Sequence, residues 1–228
     1  MIRSAAVAAL VLAATPIAAA ERTFPVTAFD RVAVEGSPEV TVTTGHNENV
    51  RVSGDPAAID RLDIRVENNV LKIGRKHDAL SWTWSDHGRV RIAVAAPMVR
   101  GVDVAGSSAV TVDRVKGREF AANIAGSGSL TVAALDADRT SFDVSGSGTV
   151  TAAGRCNTGS AKIAGSGEMK LAGLRCTTLT ASIAGSGSIA AFASQTATLA
   201  TMGSGDITLT GGARCTVSTA GSGRAKCS

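Results

Sequence analysis

The chain contains no tyrosine, and aromatic residues make up only 3% of its 228 positions. With so little aromatic area the interior is left to valine, isoleucine, leucine and alanine, and stacking platforms of the kind that hold single-stranded nucleic acid are missing. Histidine is almost as scarce. The three present are His46, His77 and His87, so the C-terminal half has none to activate a nucleophile. Charge of one sign is also lacking: 23 Lys and Arg face 19 Asp and Glu, a formal net charge of +4. The basic residues read as scattered along the chain, which argues against a nucleic-acid partner. Beyond the first twenty residues no apolar run approaches the roughly 20 residues a membrane-spanning helix needs.

Those first twenty residues have the order of a secretory signal: Arg3, then an apolar stretch from Ala5 to Ala14, then Ala18, Ala19 and Ala20 before Glu21. The expectation is a mature chain starting at Glu21, exported to the periplasm or onward to the medium or cell surface, and not membrane-spanning. No cysteine follows the cleavage point to carry a lipid anchor. The chain divides into a signal (1–20), a strand-rich part with the first coils (21–100) and a repeat region (101–228).

Glycine is abundant and periodic. Gly-Ser-Gly recurs with its glycines at Gly126 and Gly128, Gly146 and Gly148, Gly165 and Gly167, Gly185 and Gly187, Gly203 and Gly205, and Gly221 and Gly223. Gly106-Ser107-Ser108 is a degenerate seventh copy. Successive first glycines lie 20, 20, 19, 20, 18 and 18 residues apart, a period that belongs to stacked solenoids. In four of the copies an apolar residue precedes the first glycine by two, and alternating apolar residues follow: Ile124 then Leu130 and Val132, Val144 then Val150 and Ala152, Ile163 then Met169 and Leu171, Ile183 then Ile189 and Ala191. A period of two on both sides of the turn means one strand entering and one leaving, each with one buried face. The fold class is all-β: a right-handed parallel β-helix with coils of 18–20 residues, the hand following the crossover preference of parallel strands. The glycines serve as structural turns, and the serines between them are expected to form a stacked hydroxyl ladder.

The N-terminal part is strand-rich without that period. Val32 and Val34, Val40 and Val42, Val50 and Val52, and Ile92 and Val94 alternate with polar residues. Asn68-Asn69 reads as a tight hairpin turn, and Asp55-Pro56 with Ile59 and Leu62 as one short capped helix. Gly36-Ser37-Pro38 resembles a worn copy of the repeat turn.

Four cysteines in an exported chain read as two disulfides. Cys156 and Cys176 each follow an arginine and lie nine residues before the next Gly-Ser-Gly, so they stack in neighbouring coils within disulfide reach. Cys215 and Cys227 then close the last coil. The rival, a metal site, lacks a Cys-x-x-Cys pair and a nearby histidine.

These features carry a resemblance. A Phe29-Asp30-Arg31-Val32 opening, a strand pair ending at Val70-Leu71-Lys72-Ile73, Ala96-Pro97-Met98 leading into Val102-Asp103-Val104-Ala105-Gly106-Ser107, and the glycine turns that follow resemble the auto-transporter adhesin head family of exported bacterial proteins, the GIN domain. The resemblance spans roughly residues 29 to 224. It implies a β-helical fold and an exported location.

No catalytic, cofactor or metal site emerges. Serine between glycines recurs at every turn, unlike a nucleophile elbow, which occurs once. Asp113, Glu119, Asp136, Asp138, Asp143 and Glu168 fall at different coil phases and make no acid and base pair. The reading is a non-enzymatic, adhesin-like or envelope-structural solenoid whose partner is a cell-envelope protein or glycan. Two alternatives stand beside it: a carbohydrate-active lyase or hydrolase, and a solenoid that assembles end to end into homo-oligomers.

Trp82 and Trp84, with His87, are the ligand-patch candidates, since two tryptophans one residue apart on a strand share a side. The competing assignment is a cap over the apolar end of the stack. Tryptophan emission separates the two: the cap gives a blue-shifted, quencher-resistant spectrum, whereas an exposed patch gives a red-shifted, readily quenched one. Replacing both with alanine costs roughly 3 kcal/mol or more per ring in the cap and leaves the melting temperature nearly unchanged in the patch.

Overall fold

The computed structural model describes residues 20–76 and 90–228. Trp82, Trp84 and His87 lie outside the described residues, as does the predicted signal up to position 19. In chain order the elements are β1 (Ala20–Phe24), β2 (Arg31–Gly36), β3 (Glu39–Thr44), β4 (Asn49–Gly54), α1 (Pro56–Asp60), β5 (Leu62–Glu67), β6 (Val70–Arg75), β7 (Val90–Ala96) and β8 (Gly101–Gly106). The repeat region follows as β9 (Ala109–Gly126), β10 (Ser129–Gly146), β11 (Thr149–Gly165), β12 (Glu168–Gly185), β13 (Ser188–Gly203), β14 (Asp206–Thr210), β15 (Arg214–Gly221) and β16 (Arg224–Cys227). Strand accounts for 78% of the structure, which is a right-handed parallel β-helix.

Each of β9 to β13 is one coil bent around three sides. In β10 these sides are residues 129–132, 134–137 and 139–146, and the strand pairs in parallel with β9 below and β11 above. The solenoid makes about six turns, because seven glycine corners bound six circuits. The unequal coil lengths are absorbed between the sides, where the register shifts between Val132 and Leu135 and again between Leu171 and Arg175. The glycine corners themselves never slip: Gly106, Gly126, Gly146, Gly165, Gly185, Gly203 and Gly221 stack in unbroken register.

Two different constraints select glycine at the two ends of the tripeptide. The first glycine has φ between +116° and +132° in the six complete copies, and a Cβ on Gly146 would lie 2.6 Å from the carbonyl oxygen of Gly126. The second glycine is buried with ordinary φ, and there a Cβ collides with the coil below: at Gly148 it would lie 2.6 Å from Ile124 Cγ2 and 2.9 Å from the Gly128 oxygen. The positive φ forbids a side chain on the first, and the coil spacing forbids one on the second. The ladder at this corner runs through the backbone. Ser127 N donates to Gly106 O at 2.9 Å, Ser147 N to Gly126 O at 2.9 Å and Thr149 N to Gly128 O at 3.0 Å. The expected hydroxyl ladder is not formed, because Ser127, Ser147, Ser166, Ser186, Ser204 and Ser222 point into solvent.

The inward rows are largely apolar, with Ile124, Val144, Ile163 and Ile183 stacked in one row and Leu130, Val150, Met169 and Ile189 in another, all buried. Two neighbouring inward rows exchange bulk from coil to coil. Phe120 sits beside Ala122, then Thr140 beside Phe142, then Gly159 beside Ala161, then Leu179 beside Ala181. The two rings meet at 6.1 Å, tilted by 58°, and large against small fills a core of constant cross-section.

Both disulfides join the expected partners. Cys156 and Cys176 are register partners on adjacent coils, both buried, with Cα atoms 4.4 Å apart. Gly159 makes room for them, since a Cβ there would lie 3.1 Å from Cys176 Sγ. Cys215 stacks on Ala197 and Cys227 on Leu209, so the second bridge crosses the interior of the last coil, its Cα atoms 6.5 Å apart.

The N-terminal part is the start of the same stack. Gly36 has φ +92° and pairs with Gly106, so the worn turn is a true corner joining β2 to β3. Below it the parallel order gives way to antiparallel strands: β4 on β7, β1 on β4, and β5 on β6. Asn68 and Asn69 both have positive φ, 52° and 63°, as a two-residue hairpin turn requires. Asp55 caps α1 by accepting from the amides of Ala57 and Ala58. Along the hairpin, Lys72 and Arg65 hold the Glu67 carboxyl down to about 2 from 4.5, chiefly through the Lys72 hydrogen bond.

Two outcomes follow from this geometry. Gly148→Val is expected to cost about 1–3 kcal/mol in a denaturant titration, whereas Gly117→Ala, which meets nothing within 4 Å, stays within about 0.5 kcal/mol. Replacing Cys215 and Cys227 with serine removes roughly 3 kcal/mol of loop constraint. Because each coil contacts only its neighbours, faster amide exchange is confined to β14, β15 and β16, with β9 to β11 unaffected.

Candidate interaction surface

Side chains that alternate with the core rows face solvent in straight columns, one residue per coil. On the third side one column runs Ala105, Ala125, Ser145, Ala164, Ala184, Met202 and Ala220, and the next runs Asp103, Asn123, Asp143, Lys162, Ser182, Ala200 and Ser218. Residues this small leave the sheet surface shallowly recessed, and a groove of about 460 Å³ lies over β10 to β15 between Asp143 and Ala220. Met202 stands 67% exposed in a column otherwise of alanine and serine. Beneath the groove the inward row changes from Ile183 to Thr201, which is 3% exposed with its hydroxyl unpaired among the described residues. Toward the N-terminal end the same face is polar: Asp103 accepts from Asn123 at 2.6 Å and from Arg31 at 3.3 Å, and Asp143 accepts from Ser141 at 3.0 Å.

The second side is charged. Lys116, Asp136, Arg155 and Arg175 stand in one register column, ending at Phe192 on the next coil. Arg155 donates to both oxygens of Asp136, at 2.9 and 2.6 Å. That pairing holds the Asp136 carboxyl below its ordinary value and raises the guanidinium, in both cases chiefly through the hydrogen bond. Arg175 has a different support: its guanidinium carbon lies 5.0 Å from the centre of the Phe192 ring. Basic residues that read as scattered are therefore gathered by the coiling. Their shared phase was visible, since Lys116, Arg155 and Arg175 all fall ten residues before the first glycine of a turn.

Five of the six carboxylates singled out from the sequence are each engaged by a partner of their own. Asp113 accepts from Thr44, Asp136 from Arg155, Asp138 from Asn157 and Asp143 from Ser141, while Glu168 meets Lys170 at 3.0 Å. Among the described residues no three His, Cys, Asp or Glu side chains converge as a metal site. No helix among them is long and apolar enough to cross a membrane.

Comparison with known proteins agrees with this architecture. Solved structures with the same fold include a putative adhesin from Bacteroides fragilis, 18% identical, covering 93% of this chain and 98% of that one with a TM-score of 0.84. A protein from Parabacteroides distasonis described as a putative lipid binding protein is 21% identical, with a TM-score of 0.72 over 93% of this chain and 98% of its own. A putative adhesin from Parabacteroides merdae is 17% identical, with a TM-score of 0.72 over 93% and 97%. No curated protein sequence matches. The family profile described as "Putative auto-transporter adhesin, head GIN domain" matches residues 28–213, and with its glycine corners and six-turn solenoid the chain belongs to that family.

Proposed function

We propose that this protein is an exported, non-enzymatic interaction module of the cell envelope, adhesin-like in that it offers rigid sheet faces to a glycan or envelope protein. The observation that carries the reading is the groove on the third side, where alanine and serine side chains surround the exposed Met202, with Asp143 and Lys162 at the far end. A surface stiffened by unbroken strand pairing binds without reorganising, which lowers the entropic cost of association. Export is supported by two disulfides with no free cysteine among the described residues, and by the signal-like residues 1–20. The names given to the family and its structural neighbours are those of adhesins and a lipid-binding protein rather than enzymes. The separate engagement of Asp113, Asp136, Asp138, Asp143 and Glu168 also weighs against a lyase or hydrolase.

End-to-end assembly is a second reading with its own observation. Strands β15 and β16 each have a strand partner on one edge only among the described residues, and Val217 on the last coil is 45% exposed. Arg214, Arg224 and Lys226 on that coil blunt the edge against self-pairing, so the groove is the favoured surface.

A screen of the mature protein against glycans, lipid vesicles and envelope fractions tests the proposal. Binding is expected, and Met202→Glu with Ala184→Glu is expected to abolish it without moving the melting temperature. Binding that survives both substitutions removes the groove from the reading. Cleavage of a polysaccharide in the same screen overturns the non-enzymatic role.

A further inference from the structure

We propose that the second side of the coil stack is a docking strip for the carboxylate or sulfate groups of an acidic polysaccharide, with Arg175 as its central contact. The proposal rests on the exported interaction role above and names a ligand class for a different face of the molecule.

The column Lys116, Asp136, Arg155, Arg175 alternates imperfectly. Asp136 is committed to Arg155 by two hydrogen bonds, and the next position, where a second carboxylate would complete the alternation, is Arg175 instead. The two arginines are register partners on adjacent coils, their backbones about 4.8 Å apart, and their side chains lean apart along the stack, Arg155 toward Asp136 on one neighbouring coil and Arg175 toward Phe192 on the other. Arg175 has no carboxylate partner among the described residues. Its guanidinium carbon lies 5.0 Å from the centre of the Phe192 ring, and a guanidinium supported on a ring can still give two parallel hydrogen bonds to a planar or tetrahedral oxyanion. Arg118 and Arg139 stand exposed further along the coils of Lys116 and Asp136, Arg139 in register with Glu119.

The strip is also fixed in place. Arg155 and Arg175 each immediately precede a cysteine of the Cys156–Cys176 disulfide. The bridge faces inward and the arginines outward, so the covalent link locks the two cationic positions in register on the opposite face of the same strands. Such pre-organisation suits a ligand that presents anionic groups at regular intervals. An extended polysaccharide repeats near the coil spacing and can lie along the stack axis. A single-stranded nucleic acid has the charge but needs base-stacking platforms, and the one ring here, Phe192, is already covered by Arg175.

Direct binding of the mature protein to polygalacturonate and to dextran sulfate, with neutral dextran and a single-stranded oligothymidylate alongside, tests the assignment. Salt-sensitive binding to either acidic glycan supports it, and the preferred one identifies carboxylate or sulfate as the recognised group. Arg175→Ala is expected to weaken that binding at least tenfold, Arg175→Lys to restore only part of it, and Arg155→Ala with Arg175→Ala to abolish it, with the melting temperature unmoved. Arg91→Ala, on another side and paired with Glu39, leaves it intact. Equal affinity for neutral dextran, tighter binding to oligothymidylate, or an Arg175→Ala protein that binds like the wild type overturns the strip. If the wild type ignores both acidic glycans yet still binds envelope fractions, the strip is wrong and the interaction role stands. If it binds neither, both fail.

Discussion

The close approach of one glycine corner to the next is the constraint from which the rest of the solenoid follows. A serine amide can reach the glycine carbonyl one coil below at 2.9 Å only if no side chain intervenes at either end of the tripeptide. Positive φ removes the Cβ from the first glycine, and the isoleucine or valine of the coil beneath removes it from the second. With that edge pinned, every coil starts its next side at the same height. Length differences between coils are then pushed to the other corners, where the register shifts are found.

A pinned corner also accounts for the core. Because inward positions stack directly, each row is a line of residues in contact along the axis, and bulk must be traded between neighbouring rows rather than along one. Phe120 beside Ala122, and on the next coil Phe142 beside Thr140, make that trade, and the Cys156–Cys176 bridge fills the interior where Gly159 and Ala161 leave space. The two ends of the stack are handled differently. At the N-terminal end antiparallel strands cover the parallel sheet, and at the other end the Cys215–Cys227 bridge spans the last coil.

Function, on this view, resides in columns of outward residues rather than in a pocket of converging groups. The same periodicity that stacks the core repeats each outward position every coil, so a surface property is set by which residue type occupies one phase. Alanine and serine at one phase of the third side produce a recessed apolar face, and charge at one phase of the second side produces a strip of basic residues interrupted once by Asp136. Neither surface requires movement of the backbone to form.

The fold was legible because its cause is local and repeated. Glycine spacing, two-residue alternation, the Asn68-Asn69 turn and the shared phase of Cys156 and Cys176 each report a short-range requirement, and the structure contains all of them. The surfaces were not legible in the same way. The phase shared by Arg155 and Arg175 could be read along the chain, but Phe192 stands eleven residues before its glycine rather than ten, and only the register shift between β12 and β13 brings its ring to the Arg175 guanidinium. The serine hydroxyls show the converse: a repeated residue invites a repeated bond, yet the turn aims those side chains at water while the backbone makes the ladder. Sequence by itself determined the coil, because steric and hydrogen-bonding demands of a turn act over a few residues. Tertiary structure alone decided which outward side chains become neighbours where coils differ in length, because that depends on which corner absorbs the missing residues.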